Sequence, residues 1–237
     1  VRTYAMHWPN YQRETARNIR RSPFYHSLRE QGACFTETQG WERPGWYAPE
    51  GVAPQYEYSF GRQNWFEYAL DEQRAARERV AIVDYSMLGK ISVEGSGAEA
   101  FLQRVCTNNV AISCGRIAYT LLLNERGGIE SDVTVARYAN DRYMVMSSIA
   151  RTRRDYLWLA SLIEPEEQVR LRDETASLGV LGVMGPQSRA LMAAVTELDV
   201  SNEAFPFNRF CDCHIGHAEV TAQRLSYSGE LGWEIMV

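Results

Sequence analysis

No stretch of the 237 residues approaches the roughly eighteen consecutive apolar residues of a membrane span. The N-terminus also lacks a signal peptide's succession of basic, apolar and small residues, so the sequence reads as an intracellular, non-membrane protein. Cysteine is sparse. Cys34, Cys106, Cys114, Cys211 and Cys213 are odd in number and form no paired CxxC arrangement, which argues against a disulfide framework and a structural zinc site. The run Cys211-Asp212-Cys213-His214 has alternate ligand-type residues but no second pair, and it reads as strand or loop. Lysine is almost missing: Lys90 stands alone among 25 basic residues. Arginine's planar fork suits carboxylates, although composition alone accounts equally well for the bias. A net charge of -5 gives no electrostatic reason to expect nucleic acid as a partner.

What remains is ordinary globular material, 45% hydrophobic and 23% charged, enough for one sizeable domain or two smaller ones. The chain opens at Val1 without a methionine and stops at Val237 inside an alternating apolar run, which reads as a piece of a longer polypeptide. Residues 1–61 are punctuated by Trp8-Pro9, Trp41, Pro44, Trp46-Tyr47, Pro49 and Pro54, with one short helix expected over 24–30. So many aromatics in a loop-rich segment imply a surface packed on a neighbour.

From residue 62 the pattern becomes regular. A helix is expected over 66–80, a strand over 81–85 and another over 91–95. Ser96 and Glu99 then form the S-x-x-E pattern of a capping box ahead of a helix over 98–105. The phrase recurs: Leu181, Val183, Gly185, Ala190, Met192 and Val195 stand against Ile91, Val93, Gly95, Ala100, Leu102 and Val105, which points to an internal duplication. Between the copies, a strand over 143–147, a helix over 149–163 and a short strand over 168–172 are expected. The arginines opening that helix oppose its dipole, so they either meet carboxylates or anions or form a solvated face. The order suggests an α+β fold with sheets covered on one side.

Each copy leads to a glycine-and-acid hairpin. The first, residues 119–138, sets an apolar run, the turn Asn124-Glu125-Arg126-Gly127-Gly128 and an alternating run with Asp132 near its start. The two glycines allow the positive-φ conformations of a tight reversal. The second, residues 220–237, contains Tyr227-Ser-Gly-Glu-Leu-Gly-Trp233-Glu234. Strand alternation predicts that either Trp233 or Glu234 is interior, not both.

These hairpins resemble the folate-binding aminomethyltransferase family, which includes the glycine-cleavage T-protein and the C-terminal folate regions of dimethylglycine and sarcosine dehydrogenases. Asn124, Gly127, Gly128, Ile129 and Ser131-Asp132 match one family motif, and Tyr227 to Glu234 match another in full. Asp84-Tyr-Ser-Met-Leu-Gly89 and Met184-Gly-Pro-Gln187 are similar to two more. The match covers roughly residues 60–237. The resemblance implies an α+β aminomethyltransferase fold of duplicated strand-helix-hairpin halves over 62–237, truncated before the family's C-terminal β domain. Residues 1–61 look like the junction with a preceding dehydrogenase domain.

What the resemblance implies for function follows the same residues. Asp132 matches the family's essential acid, Glu234 the carboxylate that holds the pterin's pyrimidine edge, Tyr119 and Tyr227 its tyrosine neighbours, and Leu88 an apolar contact. The cofactors would be tetrahydrofolate here and FAD in an upstream flavin domain. The partner would be a small molecule derived from an N-methylated amine, with no nucleic acid and no membrane. The family often carries two successive acids, and Ser131 in place of the first favours the dehydrogenase branch. A bacterial cytoplasm is expected, with the mitochondrial matrix as the alternative. A folate-binding or scaffold module without transfer activity is the second reading.

Overall fold

The structure is a computed structural model describing residue 4 and residues 6–237. It begins with helix α1 (Tyr25–Glu30) and a two-stranded ribbon, β1 (Ala33–Thr38) and β2 (Trp41–Tyr47). Helix α2 (Phe66–Glu78) leads into β3 (Ala81–Asp84). Then come β4 (Gly89–Glu94), α3 (Ala98–Val105), β5 (Arg116–Leu123), β6 (Ile129–Ala139), β7 (Arg142–Ser147) and α4 (Thr152–Ser161). The remainder is β8 (Arg170–Asp173), β9 (Val180–Met184), α5 (Ser188–Val195), β10 (Phe210–Ile215), β11 (Ala218–Gln223) and β12 (Gly232–Met236).

Two five-stranded sheets organise these elements, in the orders β5-β6-β7-β4-β8 and β10-β11-β12-β9-β3. The orders superimpose when β4, β5, β6 and β7 are matched to β9, β10, β11 and β12, so the duplication seen in the sequence extends through the sheets. The last strand of each order is exchanged. β3 leads into β4 along the chain but pairs with β9, and β8 leads towards β9 but pairs with β4. The crossing loops are tied down reciprocally: Tyr85 N–H donates to Val180 O at 2.8 Å and Glu174 N–H to Lys90 O at 2.7 Å. Gly95 and Gly185 make matching corners at φ +124° and +127°. A Cβ on Gly95 would sit 2.1 Å from Gln168 O, and one on Gly185 2.6 Å from Arg79 O, so both corners need glycine for space as well as for φ.

Helices cover the outer faces and the inner faces meet. Phe101 and Leu102 of α3 and Leu159 of α4 pack on Val93, Val135 and Val145 of the first sheet, and Met192 of α5 packs on Val183, Trp233 and Ile235 of the second. Between the sheets, Met146 meets Val180 and Met236, and Ile117 and Ala136 meet Phe210. The expectation of one-sided sheets is therefore corrected: each sheet has helices on one face and its counterpart on the other. The N-terminal aromatics pack on this body, with Trp46 fully buried and stacked on Tyr68 of α2 at 5.5 Å.

The capping box is also corrected. Helix α3 is capped at Gly97 with no side-chain cap bond. Ser96 Oγ instead donates to Gln168 Oε1 at 2.8 Å, and Glu99 pairs with Arg137 at 2.6 Å. Gln168, before β8, and Arg137 of β6 thus take the two groups that a free helix end would have used. Cys211 to His214 lie along β10, with Cys211 and Cys213 packed on the second sheet's core.

Candidate functional site

The first hairpin closes around Asn124. Its side-chain Oδ1 accepts from Arg126 N–H at 3.0 Å and Gly128 N–H at 2.9 Å. Of the two turn glycines, Gly127 takes positive φ, at +76°, and Gly128 does not. Gly128 is required for another reason: a Cβ there would lie 2.9 Å from the Asn124 amide. Beyond the turn, the ladder slips: Leu122 faces Ser131 and Leu123 faces Ile129, leaving Glu130 as the extra residue of a β-bulge.

Directly after that bulge, Ser131 and Asp132 point to opposite faces. Ser131 is buried towards α4, and Asp132, exposed, shares the inner face with Thr134 and Met146. The paired-acid motif is therefore two positions with two different surroundings. Tyr119 O–H donates to Asp132 Oδ2 at 3.2 Å across the β5–β6 pair. Desolvation, the Asp132 charge and this hydrogen bond all hold the Tyr119 phenol above its ordinary value.

Glu234 lies on the facing sheet. The sequence expectation that only one of Trp233 and Glu234 is interior is corrected: Trp233 is fully enclosed and Glu234 is only 8% exposed. β12 is a central strand covered by α5 on one side and by the first sheet on the other, so alternation sorts its residues between two interiors. Trp233 enters the outer core, and Glu234 follows Met236 to the inner face. Among the described residues Glu234 has neither hydrogen bond nor ion pair, and burial alone pushes its carboxyl up to about 7.

Its neighbours were not legible in the sequence. Gln223 stands directly opposite Glu234 in the β11–β12 ladder and is 1% exposed, and its amide makes no close hydrogen bond, acting only at longer range on the Tyr138 hydroxyl. Gly182 stands on the other side, with the Tyr85 ring over it where a Cβ would be 2.7 Å from the ring. Tyr85 is raised by burial first and by the Glu234 charge second. Lys90 is wholly buried, donating to Ser86 O at 2.8 Å and Leu88 O at 2.9 Å, and burial lowers it to about 8. It ties down the loop that carries Leu88 into the inter-sheet cluster with Tyr85, Met146, Val180 and Met236.

Of the five candidates, the structure joins Tyr119 to Asp132 directly and places Leu88 and Glu234 on the same inner space. Tyr227 is 90% exposed on the turn between β11 and β12, close enough to act electrostatically on Tyr85. A buried carboxyl with no hydrogen bond or ion pair among the described residues, beside a buried amide, is the complement of a heterocycle edge that presents both donors and an acceptor, as the edge of a folate does.

Known proteins share this sequence and fold. A 4-methylaminobutanoate oxidase (formaldehyde-forming) of Paenarthrobacter nicotinovorans is 39% identical over 99% of this chain and 28% of its own length. The mitochondrial sarcosine dehydrogenase of Homo sapiens is 32% identical over 100% of this chain and 30% of its own. The chain thus spans less than a third of the length of these relatives. Among solved structures, the glycine cleavage system aminomethyltransferase T of Bartonella henselae matches with a TM-score of 0.71 at 24% identity, over 93% of this chain and 54% of that one, which establishes the shared fold. The family described as GCVT N-terminal domain matches residues 24–237, and the chain belongs to that family.

Proposed function

We propose that this chain is the tetrahydrofolate-binding, one-carbon-accepting part of a flavin-dependent dehydrogenase of the dimethylglycine or sarcosine type. Residues 62–237 form the folate domain and residues 1–61 join it to a flavin domain that uses FAD, in a bacterial cytoplasm or a mitochondrial matrix. The observation that carries this reading is Glu234, a buried carboxyl with no protein partner. Tetrahydrofolate, when bound, supplies the nitrogen nucleophile that takes a one-carbon unit from an oxidised N-methyl amine. Glu234 accepts the paired N–H donors of the pyrimidine edge, each charge-assisted bond contributing about 1.5–3 kcal/mol. Leu88, Tyr119 and Tyr227 supply the surroundings of the ring.

Asp132 is the catalytic residue in this reading. Held by the Tyr119 hydroxyl, its carboxylate orients the nucleophilic nitrogen and stabilises the positive charge that develops as the carbon is transferred. No covalent bond to the protein is needed. The test is calorimetric titration of the full-length protein with tetrahydrofolate, beside Glu234→Gln. Binding by the wild type, weakened about tenfold or more in the variant, is expected. Absence of wild-type binding overturns the reading. Binding without transfer of a one-carbon unit from an N-methyl donor leaves a non-catalytic module.

A further inference from the structure

Asp132 lies two residues past the bulged Glu130, and a bulge next to a hairpin turn is a place where the strand beyond it drifts unless something outside the ladder holds it. The first turn of α4 supplies such a hold. Asp155, 2% exposed, accepts on one oxygen from Ser131 Oγ at 2.7 Å and Ser147 Oγ at 2.5 Å. One residue earlier, Arg154 pairs with the Glu130 carboxylate and donates to the Glu130 carbonyl at 3.2 Å. The second Glu130 oxygen accepts from Asn124 Nδ2 at 2.8 Å, so the bulge is braced from the helix and from the turn. These contacts fall on the two residues immediately before Asp132, and none of them touches Asp132 itself.

We propose that Asp155, through Ser131, and Arg154, through Glu130, are positioning residues that fix the bulge and thereby aim Asp132 at the inner face beside Tyr119. This rests on the reading of Asp132 as the catalytic residue. It also accounts for the serine of the acid-pair motif, whose hydroxyl is a donor to Asp155 that a second acid could match only by carrying a proton. Of the arginines that open α4 against its dipole, Arg154 is engaged with a carboxylate.

The test uses the full-length protein with Asp132→Asn, Asp155→Asn and the double variant, following single-turnover formation of methylenetetrahydrofolate and tetrahydrofolate affinity. Asp155→Asn is expected to slow transfer about tenfold with affinity within about twofold of wild type, and the double variant to be no slower than Asp132→Asn alone. Rate losses that multiply, or a wild-type rate in Asp155→Asn, overturn the positioning role while leaving Asp132 in place. A wild type without product, or an Asp132→Asn variant at wild-type rate, overturns the underlying reading and the inference with it. Ser131→Ala removes one hydroxyl and serves if Asp155→Asn does not fold, with a loss of about threefold expected. Ligand-free protein gives an independent readout: amide exchange over residues 129–134 should quicken about tenfold in Asp155→Asn and stay unchanged in Asp132→Asn. Unaltered exchange in Asp155→Asn overturns the hold whatever the activity.

Discussion

The two halves build the same sheet order and place opposite kinds of carboxylate on the inner face. In the first, Asp132 is exposed, hydrogen-bonded to Tyr119 and set two residues past a braced bulge. In the second, Glu234 is enclosed on a regular central strand and has nothing to bond. The strands do not correspond: β6, which carries Asp132, matches β11, whereas Glu234 lies on β12, the counterpart of β7. The pair is thus not a repeated residue used twice. One scaffold supplies a solvated acid from one side and a desolvated one from the other, the difference that the proposed roles of charge stabilisation and recognition call for.

Changes at equivalent places should show where the halves are alike. Gly95→Ala and Gly185→Ala each force a Cβ into backbone oxygen at positive φ, and each should lower stability by about 4 kcal/mol or prevent folding, measured by urea unfolding. A large loss at only one corner would break the equivalence. The acids should then separate the halves. Because Glu234 is raised from 4.5 to about 7, the folded protein keeps a proton that the unfolded chain releases over that range. Ligand-free stability contributed by this group therefore falls as pH rises from 4.5 through 7. Glu234→Gln should be more stable than wild type by about 3 kcal/mol at pH 8 and equal to it near pH 4, read as the difference between their unfolding midpoints.

Asp132→Asn should slow one-carbon transfer about a hundredfold, equivalent to about 2.7 kcal/mol, with tetrahydrofolate affinity nearly intact. Glu234→Gln should show the reverse emphasis, and similar kinetic signatures in the two variants would remove the division of labour. Gln223→Leu should raise the ligand-free melting temperature, corresponding to about 1 kcal/mol, because a buried amide without a close hydrogen bond leaves the interior. Ser96→Ala should change stability by less than about 0.5 kcal/mol, since its hydroxyl caps no helix and its bond to Gln168 is exposed.

Local signals were legible in the sequence: the strand-glycine-helix phrase, the hairpin around Asn124, the helices and the acids. Their surroundings were not, because these depend on partners far along the chain. Whether Ser96 caps α3 was decided by Gln168, and whether Glu234 is buried was decided by the sheet facing it. Gln223 looked like any polar residue in an alternating strand, and only its place opposite Glu234 gives it meaning. Asp155 could have been noticed as an acid in the first turn of an arginine-rich helix, but its partners Ser131 and Ser147 belong to two different strands. The acid-pair motif marked Ser131 and Asp132 as candidates but not that they face apart, a consequence of the strand's two-residue period.

The exchanged strands bear on how the molecule is made. As the chain leaves the ribosome, β3 (81–84) must wait for β9 (180–184), and β4 completes its pairing only when β8 (170–173) arrives. Neither half can reach its final sheet alone, so a cut between them would leave each with an open edge where its borrowed strand belongs. Maturation is therefore governed by distant pairings and should be slow for a chain of this size, with the two halves maturing together or not at all.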